Sequence, residues 1–395
     1  MDLKEKIKLL AEKYHAEIIS VRRHIHANPE ISFQEFNTAK FIAAKLKEFG
    51  ISFTEGIVKT GIVALIKGKN SNKKIIALRA DVDALAIKEE NKIEYKSKNE
   101  GVMHACGHDV HTASLLGTAK ILNEIKDEFE GTVKLIFQPG EEKAPGGASL
   151  MIKEGVLENP KPTSIFAQHV FPSMETGKVG FRSGMYMAST DEIYITIKGK
   201  GGHAAMPAEY VNSVLIGARI IDALQKVFME EKTNEIPTVI AFGKFIAEGT
   251  TNVIPAEVKI SGTFRTMDEK WREEAKEIIS QIVKSKTESM GGVAEINIMQ
   301  GYPFLVNDET TTARAKKSAE EFLGKENVED LPLRMTAEDF AFYTQHLPGC
   351  FYRLGTGNKS KGIISGVHTS TFDIDEKALQ IGMGLMAWLA LNELK

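Results

Sequence analysis

The sequence predicts an α/β protein: a mostly parallel sheet flanked by helices, with a smaller ferredoxin-like α+β domain inserted into it. Three observations carry this expectation. Short apolar runs of strand length alternate with helix-length stretches, the pattern of parallel strands covered on both faces. Near Gly184 the pattern changes to half-solvated strands with two-residue alternation, and after Pro303 the first pattern resumes. At 395 residues the chain exceeds the roughly 250–300 residues at which single cores stop growing. Two domains are therefore expected: 1–183 together with 303–395 as one discontinuous domain, and 184–302 inserted.

The first helix runs to residue 27, where Asn28-Pro29 stops it, because the residue before a proline is driven out of the helical region. Ser32-Phe33-Gln34-Glu35 reads as a capping box for a second helix that closes at Gly50. Residues 61–66 and 74–81 are strands, the second ending in acid at Asp81. The spacing of Ala113, Leu116, Ala119, Ile121, Leu122 and Ile125 predicts a helix over 112–125. Residues 132–137 form a buried strand running into Gln138-Pro139-Gly140-Glu141-Glu142, 146–155 a short helix, and 164–167 a strand reaching His169. In the insert, 191–198 places Ile193, Ile195 and Ile197 on one face and polar residues on the other. A helix near 211–221, strands over 238–246 and 257–266, a helix over 269–289 and a strand over 294–299 complete a ferredoxin-like order. A helix over 310–323, a strand over 350–354 and an apolar helix over 377–394 then return to the first sheet.

Hydrophobic content of 43%, charged content of 26% and a formal net charge of -3 describe a folded, soluble, mildly acidic protein. Nothing in them asks for nucleic acid or an anionic membrane. Residues 1–14 alternate Lys and Glu with Leu3, Ile7, Leu10 and Ala11, an amphipathic surface helix rather than the apolar core of a signal peptide. No apolar run reaches the roughly 18 residues of a membrane span. The two cysteines, Cys106 and Cys350, make no disulfide framework. A cytoplasmic location is expected.

The richest chemistry lies in Met103-His104-Ala105-Cys106-Gly107-His108-Asp109-Val110-His111. Gly107 lets the side chains of Cys106 and His108 face one point, and a thiolate beside an imidazole suits a borderline cation such as zinc. A small buried cysteine and a satisfied core histidine are the plainer alternative. Glu141-Glu142 follows a buried strand, and adjacent acids repel unless a cation offsets them or one is protonated. Asp81 and Asp83 stand at another strand end, where parallel sheets gather ligands. His169 and His368 add nitrogen donors, each more often structural when taken singly. Cys106 also admits a nucleophilic-thiol reading with a nearby histidine as base. Chelator sensitivity separates the two chemistries.

These stretches, with Arg22-Arg23-His24-Ile25-His26, Leu78 to Leu85, Phe137 to Glu142, Gly199 to His203, Thr251 to Pro255 and Ala337-Glu338-Asp339-Phe340, resemble the zinc-dependent aminoacylase and carboxypeptidase superfamily in order along essentially the whole chain. The closest likeness is to its amidohydrolase subgroup, which includes N-acyl-amino-acid amidohydrolases, hippurate hydrolases and auxin-conjugate hydrolases. The resemblance implies a phosphorylase/hydrolase-like metallopeptidase catalytic domain with an inserted lid and dimerisation domain. It implies Cys106, His108, Glu142, His169 and His368 as ligands of two divalent ions per subunit, zinc foremost, with manganese, cobalt or nickel as alternatives. Glu141 would be the general base and Asp83 the acid that orients a ligand. Distant relatives carry a histidine where this chain has Asp81. His203 would polarise the scissile carbonyl, in relatives often from the neighbouring subunit. Asn252 and Arg265 would grip the substrate carboxylate, with Arg265 as a plain strand-surface charge the alternative. His24, His26 and Cys350 read as structural, and His111 as either a supporting residue or a helix cap.

The activity so implied is metal-dependent hydrolysis of the amide of an N-acyl amino acid or short peptide substrate. A metallocarboxypeptidase or dipeptidase on the same site is the alternative. A silent binding protein is the non-enzyme reading, and the presence of Glu141 argues against it. A homodimer through 184–302 is expected.

Overall fold

The chain begins with α1 (Leu3–Ala27), whose Ile7, Leu10, Tyr14, Ile18, Val21 and Ile25 recur at helical spacing and bury one face. Next come α2 (Phe36–Glu48), β1 (Phe53–Ile57), β2 (Gly61–Lys67), β3 (Ile75–Asp81), α3 (His108–Glu124), β4 (Thr132–Gln138), α4 (Gly147–Lys153), β5 (Ile165–Glu175) and β6 (Val179–Phe181). After β7 (Gly184–Met187) follow β8 (Asp191–Lys198), β9 (Gly202–His203), α5 (Ser213–Gln225), β10 (Thr238–Ile246), β11 (Val253–Ile254), β12 (Glu257–Thr266), α6 (Glu269–Glu288) and β13 (Val293–Gln300). The chain closes with β14 (Leu305–Asn307), α7 (Glu309–Leu323), β15 (Val328–Asp330), α8 (Ala341–Thr344), β16 (Gly349–Gly357) and α9 (Lys377–Leu394). This computed structural model describes residues 2–231 and 235–395. No helix among them is long and apolar enough to cross a membrane.

The chain divides into two units. The first holds Met1–Gly184, Val306–Pro332 and Asp339–Lys395, the second Met185–Leu305 and Leu333–Glu338. In the first, the sheet runs β1-β2-β4-β3-β5-β16-β6-β15. Its centre, β4-β3-β5-β16, is parallel, whereas β1–β2, β2–β4 and β16–β6 are antiparallel. Only residues 58–60 join β1 to β2, too few for the crossover a parallel pair requires. Sequence reasoning missed β1 because its middle residues are exposed and carry no apolar run. Helices α1, α3 and α9 pack together, and α3 and α9 also meet β3, so the apolar α9 disappears into the core.

The capping box is not made. The second helix starts at Phe36 with no cap from Ser32 or Glu35. Instead the Glu30 carboxylate accepts from the Asn37 and Thr38 amides, at 2.9 and 2.8 Å. Glu35 is diverted to the amide of Gly140, at 2.9 Å, and to Thr60 Oγ1, at 2.7 Å. Both freed side chains support loops near the strand ends.

Lys134, in the middle of β4, is buried and donates from Nζ to the carbonyls of Val156 and Glu158, each at 2.7 Å. Burial lowers its pKa from 10.5 to about 8. Below pH 8 the folded and unfolded chains both hold the proton, and the fold bears the burial cost. Between pH 8 and 10.5 the unfolded chain alone retains it, so this group adds stability as pH rises, by about 3 kcal/mol at most. Lys134→Met abolishes that titration. Its stability relative to the parent is expected to fall from pH 8 to 10.5, read by urea denaturation across the window; a constant difference would refute the account.

In the second unit β10-β12-β8-β13 form an antiparallel sheet. With α5 and α6 this gives the strand–helix–strand–strand–helix–strand order of a ferredoxin-like unit. Ile193, Ile195 and Ile197 lie in its core, as the alternation predicts. Arg272 clamps Asp191 with two hydrogen bonds of 2.8 Å, both side chains buried. One boundary needs correction: 333–338 group with this unit rather than with 303–395. The reason is a set of main-chain contacts, in which Arg334 N–H donates to Tyr186 O at 3.0 Å and Ala188 N–H to Thr336 O at 3.1 Å.

Candidate metal centre

The site lies at the carboxyl ends of the parallel strands of the first unit. Gly107 adopts φ +85°, and a Cβ there would meet Val170 Cγ2 at 2.6 Å, so only glycine fits between Cys106 and His108. The helix α3 starts at His108, four residues earlier than the periodicity predicts, so His108, Asp109 and His111 stand on its first turn. Gly140, at φ +63° with the Phe33 ring 2.4 Å from an added Cβ, turns the chain from β4 into Glu141 and Glu142. His169 sits inside β5, which continues to Glu175, rather than after a strand ending at 167. His368 has φ +62°, the left-handed region, and its N–H donates to Ala105 O at 2.7 Å, tying its loop to the motif. Such a backbone costs a residue with a Cβ roughly 1–2 kcal/mol.

These segments bring six predicted residues together. Cys106 Sγ lies 3.5 Å from His169 Nε2 and 3.3 Å from His368 Nε2. Glu142 Oε1 lies 3.2 Å from His368 Nε2 and 3.9 Å from His108 Nε2. Donor atoms of Cys106, His108 and His169, of Cys106, Glu142 and His368, and of His108, Glu141 and Glu142 each fall within 4.8 Å of one another. His368 alone of the six is exposed.

The histidines are oriented from behind. His108 donates from Nδ1 to Asp83 O at 2.9 Å and His169 from Nδ1 to Val170 O at 2.9 Å, so both present Nε2 to the cluster. Asp83 Oδ2 accepts from Ser32 Oγ at 2.6 Å and from Glu142 N–H at 3.0 Å, and Oδ1 lies 3.2 Å from His108 Nδ1. One carboxylate thereby fixes two neighbouring donors. Sequence reasoning assigned no role to Ser32 beyond a cap, and only Asp83's place at a strand end hinted at this bond.

The electrostatics of the cluster suit a divalent cation. Burial, then Glu142 and Glu141, push the Cys106 thiol well above its usual range. Burial and the Arg353 charge keep His169 neutral, its pKa well below the ordinary value. For His108 burial opposes the proton, but Asp81, Asp83 and Glu142 outweigh it and raise the pKa to about 10. A dication held by this thiolate, these imidazoles and this carboxylate would deprotonate the thiol. His108 Nε2 and Glu142 Oε1 are buried and make no hydrogen bond among the described residues, although burying such atoms unpaired is costly. A sulfur, nitrogen and oxygen set of this kind fits zinc or a similar first-row ion.

Donor atoms of Asp81, His108 and His111 also fall within 4.8 Å of one another, but both oxygens of Asp81 are already engaged. Its Oδ2 accepts from Arg79 Nη1 at 2.5 Å and its Oδ1 from His111 Nδ1 at 2.5 Å. Burial disfavours its charge, yet Arg79, His108 and His111 hold the carboxyl well below the usual range. Asp109 faces away, accepting from Arg22 Nε at 2.7 Å and His26 Nδ1 at 2.8 Å. Arg22 and His26 are therefore anchors of the motif helix. Burial lowers the His104 pKa to about 4, and both its ring nitrogens lack a hydrogen bond among the described residues. Cys350 is fully buried in β16. His24 stacks on Phe41 with centroids 4.0 Å apart.

The remaining predicted residues belong to the second unit. His203 and Asn252 are exposed and adjacent: β9 pairs with β11 at His203 and Val253, and Ala204 N–H donates to Asn252 O at 3.0 Å. His203 Nδ1 accepts from Ala205 N–H at 3.1 Å, which leaves Nε2 as the protonated nitrogen. Arg265, on β12, is half-buried and donates from Nη1 to Met335 O at 3.2 Å.

Residues 77–392 match Peptidase family M20/M25/M40. The chain belongs to that family. This M20/M25/M40 chain is 38% identical over 395 residues to thermostable carboxypeptidase 2 of Saccharolobus solfataricus, with 99% of each chain covered. It is 41% identical over 304 residues to the N-acyl-L-amino acid amidohydrolase of Geobacillus stearothermophilus, covering 77% of this chain and 81% of that protein. Among solved structures it is similar to the Bacillus subtilis YXEP protein, a dinuclear metal binding peptidase from the M20 family. The TM-score is 0.82 and the identity 33%, over 97% of this chain and 99% of that one. As an M20/M25/M40 member with amidohydrolase relatives, the protein is a hydrolase.

Proposed function

We propose that this hydrolase deacylates N-acyl amino acids to a carboxylic acid and a free amino acid, with Glu141 as general base beside two divalent ions, zinc foremost. The observation that carries the reading is the convergence of Cys106, His108, Glu142, His169 and His368 from four separate stretches of chain, with Glu141 next in sequence. Those five residues are the ion ligands. Bound there, the ions supply Lewis acidity to the attacking water and the scissile carbonyl. Glu141 takes the water's proton and delivers it to the leaving nitrogen, converting a poor amide leaving group into an amine. Asp83 keeps His108 Nδ1 and the Glu142 amide in register. On the second unit, which acts as a lid, His203 offers an Nε2–H to the substrate carbonyl, and Asn252 and Arg265 bind its carboxylate.

The similarity to a carboxypeptidase supports a second reading, cleavage of a peptide bond beside a free carboxylate with the same residues. A kinetic panel of acetyl-, benzoyl-, indoleacetyl- and aminoacyl-amino acids with defined metals separates the two. Chelation is expected to abolish turnover, and zinc, manganese or cobalt to restore it. Metal-replete protein inert across the panel would overturn the proposal.

A homodimer through the second unit completes the reading. Strand β13 is a sheet edge with Val293 and Met299 exposed, and such edges invite pairing. Sedimentation at micromolar concentration is expected to give a dimer; a fully active monomer would refute it.

A further inference from the structure

We propose that His111 is a positioning residue that fixes the part of β5 carrying His169, through a buried relay running from Asp339 to the Val170 amide. This rests on the metal-centre reading above. His111 lies one turn beyond His108 on α3, with its ring centroid 4.6 Å from that of His169. Both of its ring nitrogens are nevertheless already engaged. Its Nδ1 lies 2.5 Å from Asp81 Oδ1, and its Nε2 accepts the Val170 N–H at 2.9 Å. A carboxylate on one side and an amide donor on the other admit one arrangement, the neutral Nδ1–H tautomer.

Val170 is thereby held at both backbone polar groups. His111 takes its N–H, and its carbonyl accepts from His169 Nδ1 at 2.9 Å. With Nδ1 committed, Nε2 is the nitrogen His169 turns to Cys106. The β3–β5 ladder ends at the pairing of Arg79 with Ala167, so His111 secures the strand where the sheet no longer pairs it to β3. The relay continues backward. Arg79 donates to Asp81 at 2.5 Å, to Gln138 Oε1 at 2.9 Å and to Asp339 Oδ1 at 2.8 Å. Arg79, Asp81, His111, Gln138 and Asp339 are each no more than 1% exposed, so water cannot substitute for a lost partner without rearrangement. A partner that orients a ligand typically changes metal affinity 10–100-fold when removed.

The test compares H111F, which keeps bulk and loses both hydrogen bonds, with H111Q, which retains one acceptor and one donor. Both are stripped and titrated with zinc and cobalt against a chromophoric chelator, with circular dichroism recording the fold. H111F is expected to weaken one ion by about 10–100-fold and to alter the cobalt–thiolate absorption, while H111Q binds as the parent does. A folded H111F with parental affinity for both ions, or an H111Q as weak as H111F, would overturn the proposal. A parent that binds neither cation would instead remove the metal-centre reading on which it rests. Should H111F not fold, nitrogen-15 spectra of the parent still decide. A neutral Nδ1–H tautomer at His111 supports the relay, and an Nε2–H tautomer rules it out.

Discussion

Glu141→Gln is expected to lower kcat by roughly a hundred- to ten-thousand-fold while the metal content stays at the parental level. Glutamine has the same shape and keeps an oxygen for the Asp339 N–H, which lies 3.4 Å from Glu141 Oε1, so the loop after β4 has no reason to move. What it loses is basicity. If Glu141 acts only on the water's proton, the deficit falls on the chemical step, and kcat and kcat/KM decline together with KM nearly unchanged. The competing role is visible in the geometry, since a Glu141 oxygen lies within 4.8 Å of donor atoms of His108 and Glu142. If Glu141 were a ligand, Glu141→Gln would lose metal as well as turnover, and Glu142→Gln would resemble it. On the proposed roles the two variants differ, with Glu142→Gln losing metal. Steady-state kinetics with elemental analysis of both proteins reads the contrast, and parental turnover in Glu141→Gln would sink the mechanism.

How much of this was legible in the sequence depended on whether the cause was local. The alternation of Ile193, Ile195 and Ile197 is a local record of a half-buried strand, and it predicted β8 and its buried face correctly. Cys106-Gly107-His108 is likewise local, because the left-handed turn at Gly107 needs no information from elsewhere. The capping box failed because Ser32 and Glu35 had better partners far along the chain, Asp83 and the Gly140 amide, and a buried carboxylate goes where donors converge. The return of 333–338 to the second unit is carried by main-chain hydrogen bonds with Tyr186 and Ala188, which leave no mark on side-chain pattern. Asp81 looked like a candidate ligand from its place at a strand end. Its engagement by Arg79, two residues earlier, is written in the sequence, but the partner that orients Arg79, Asp339, lies 260 residues away.

That long-range pairing sets the largest stability effect expected of a single substitution. Arg79→Met is expected to cost about 3–5 kcal/mol in metal-stripped protein, the usual penalty for removing one partner of a buried ion pair. Methionine fills much of the volume, so the loss is electrostatic rather than a cavity. Asp81 and Asp339 are both fully buried, and Asp339 would retain Gln138 Nε2 at 2.8 Å and the Ala148 amide at 3.0 Å, whereas Asp81 would keep His111. The pH dependence follows from the sign of the shift. Asp81 titrates well below its ordinary range in the fold, so its contribution is present above the unfolded-state pKa of about 3.9 and is lost as pH falls toward the folded value. Without Arg79 less of that contribution exists to lose, so parent and variant should converge as acid is added. Urea unfolding with chelator present, at neutral pH and again near about pH 2, well below the unfolded-state value, measures both limbs. Adding Asp339→Asn to Arg79→Met removes one uncompensated charge and should return part of the loss, a coupling that a double-mutant cycle isolates. A neutral-pH cost below about 1 kcal/mol, the range of exposed pairs, would mean that water reaches these carboxylates, and the dry relay behind His169 would have to be abandoned with it.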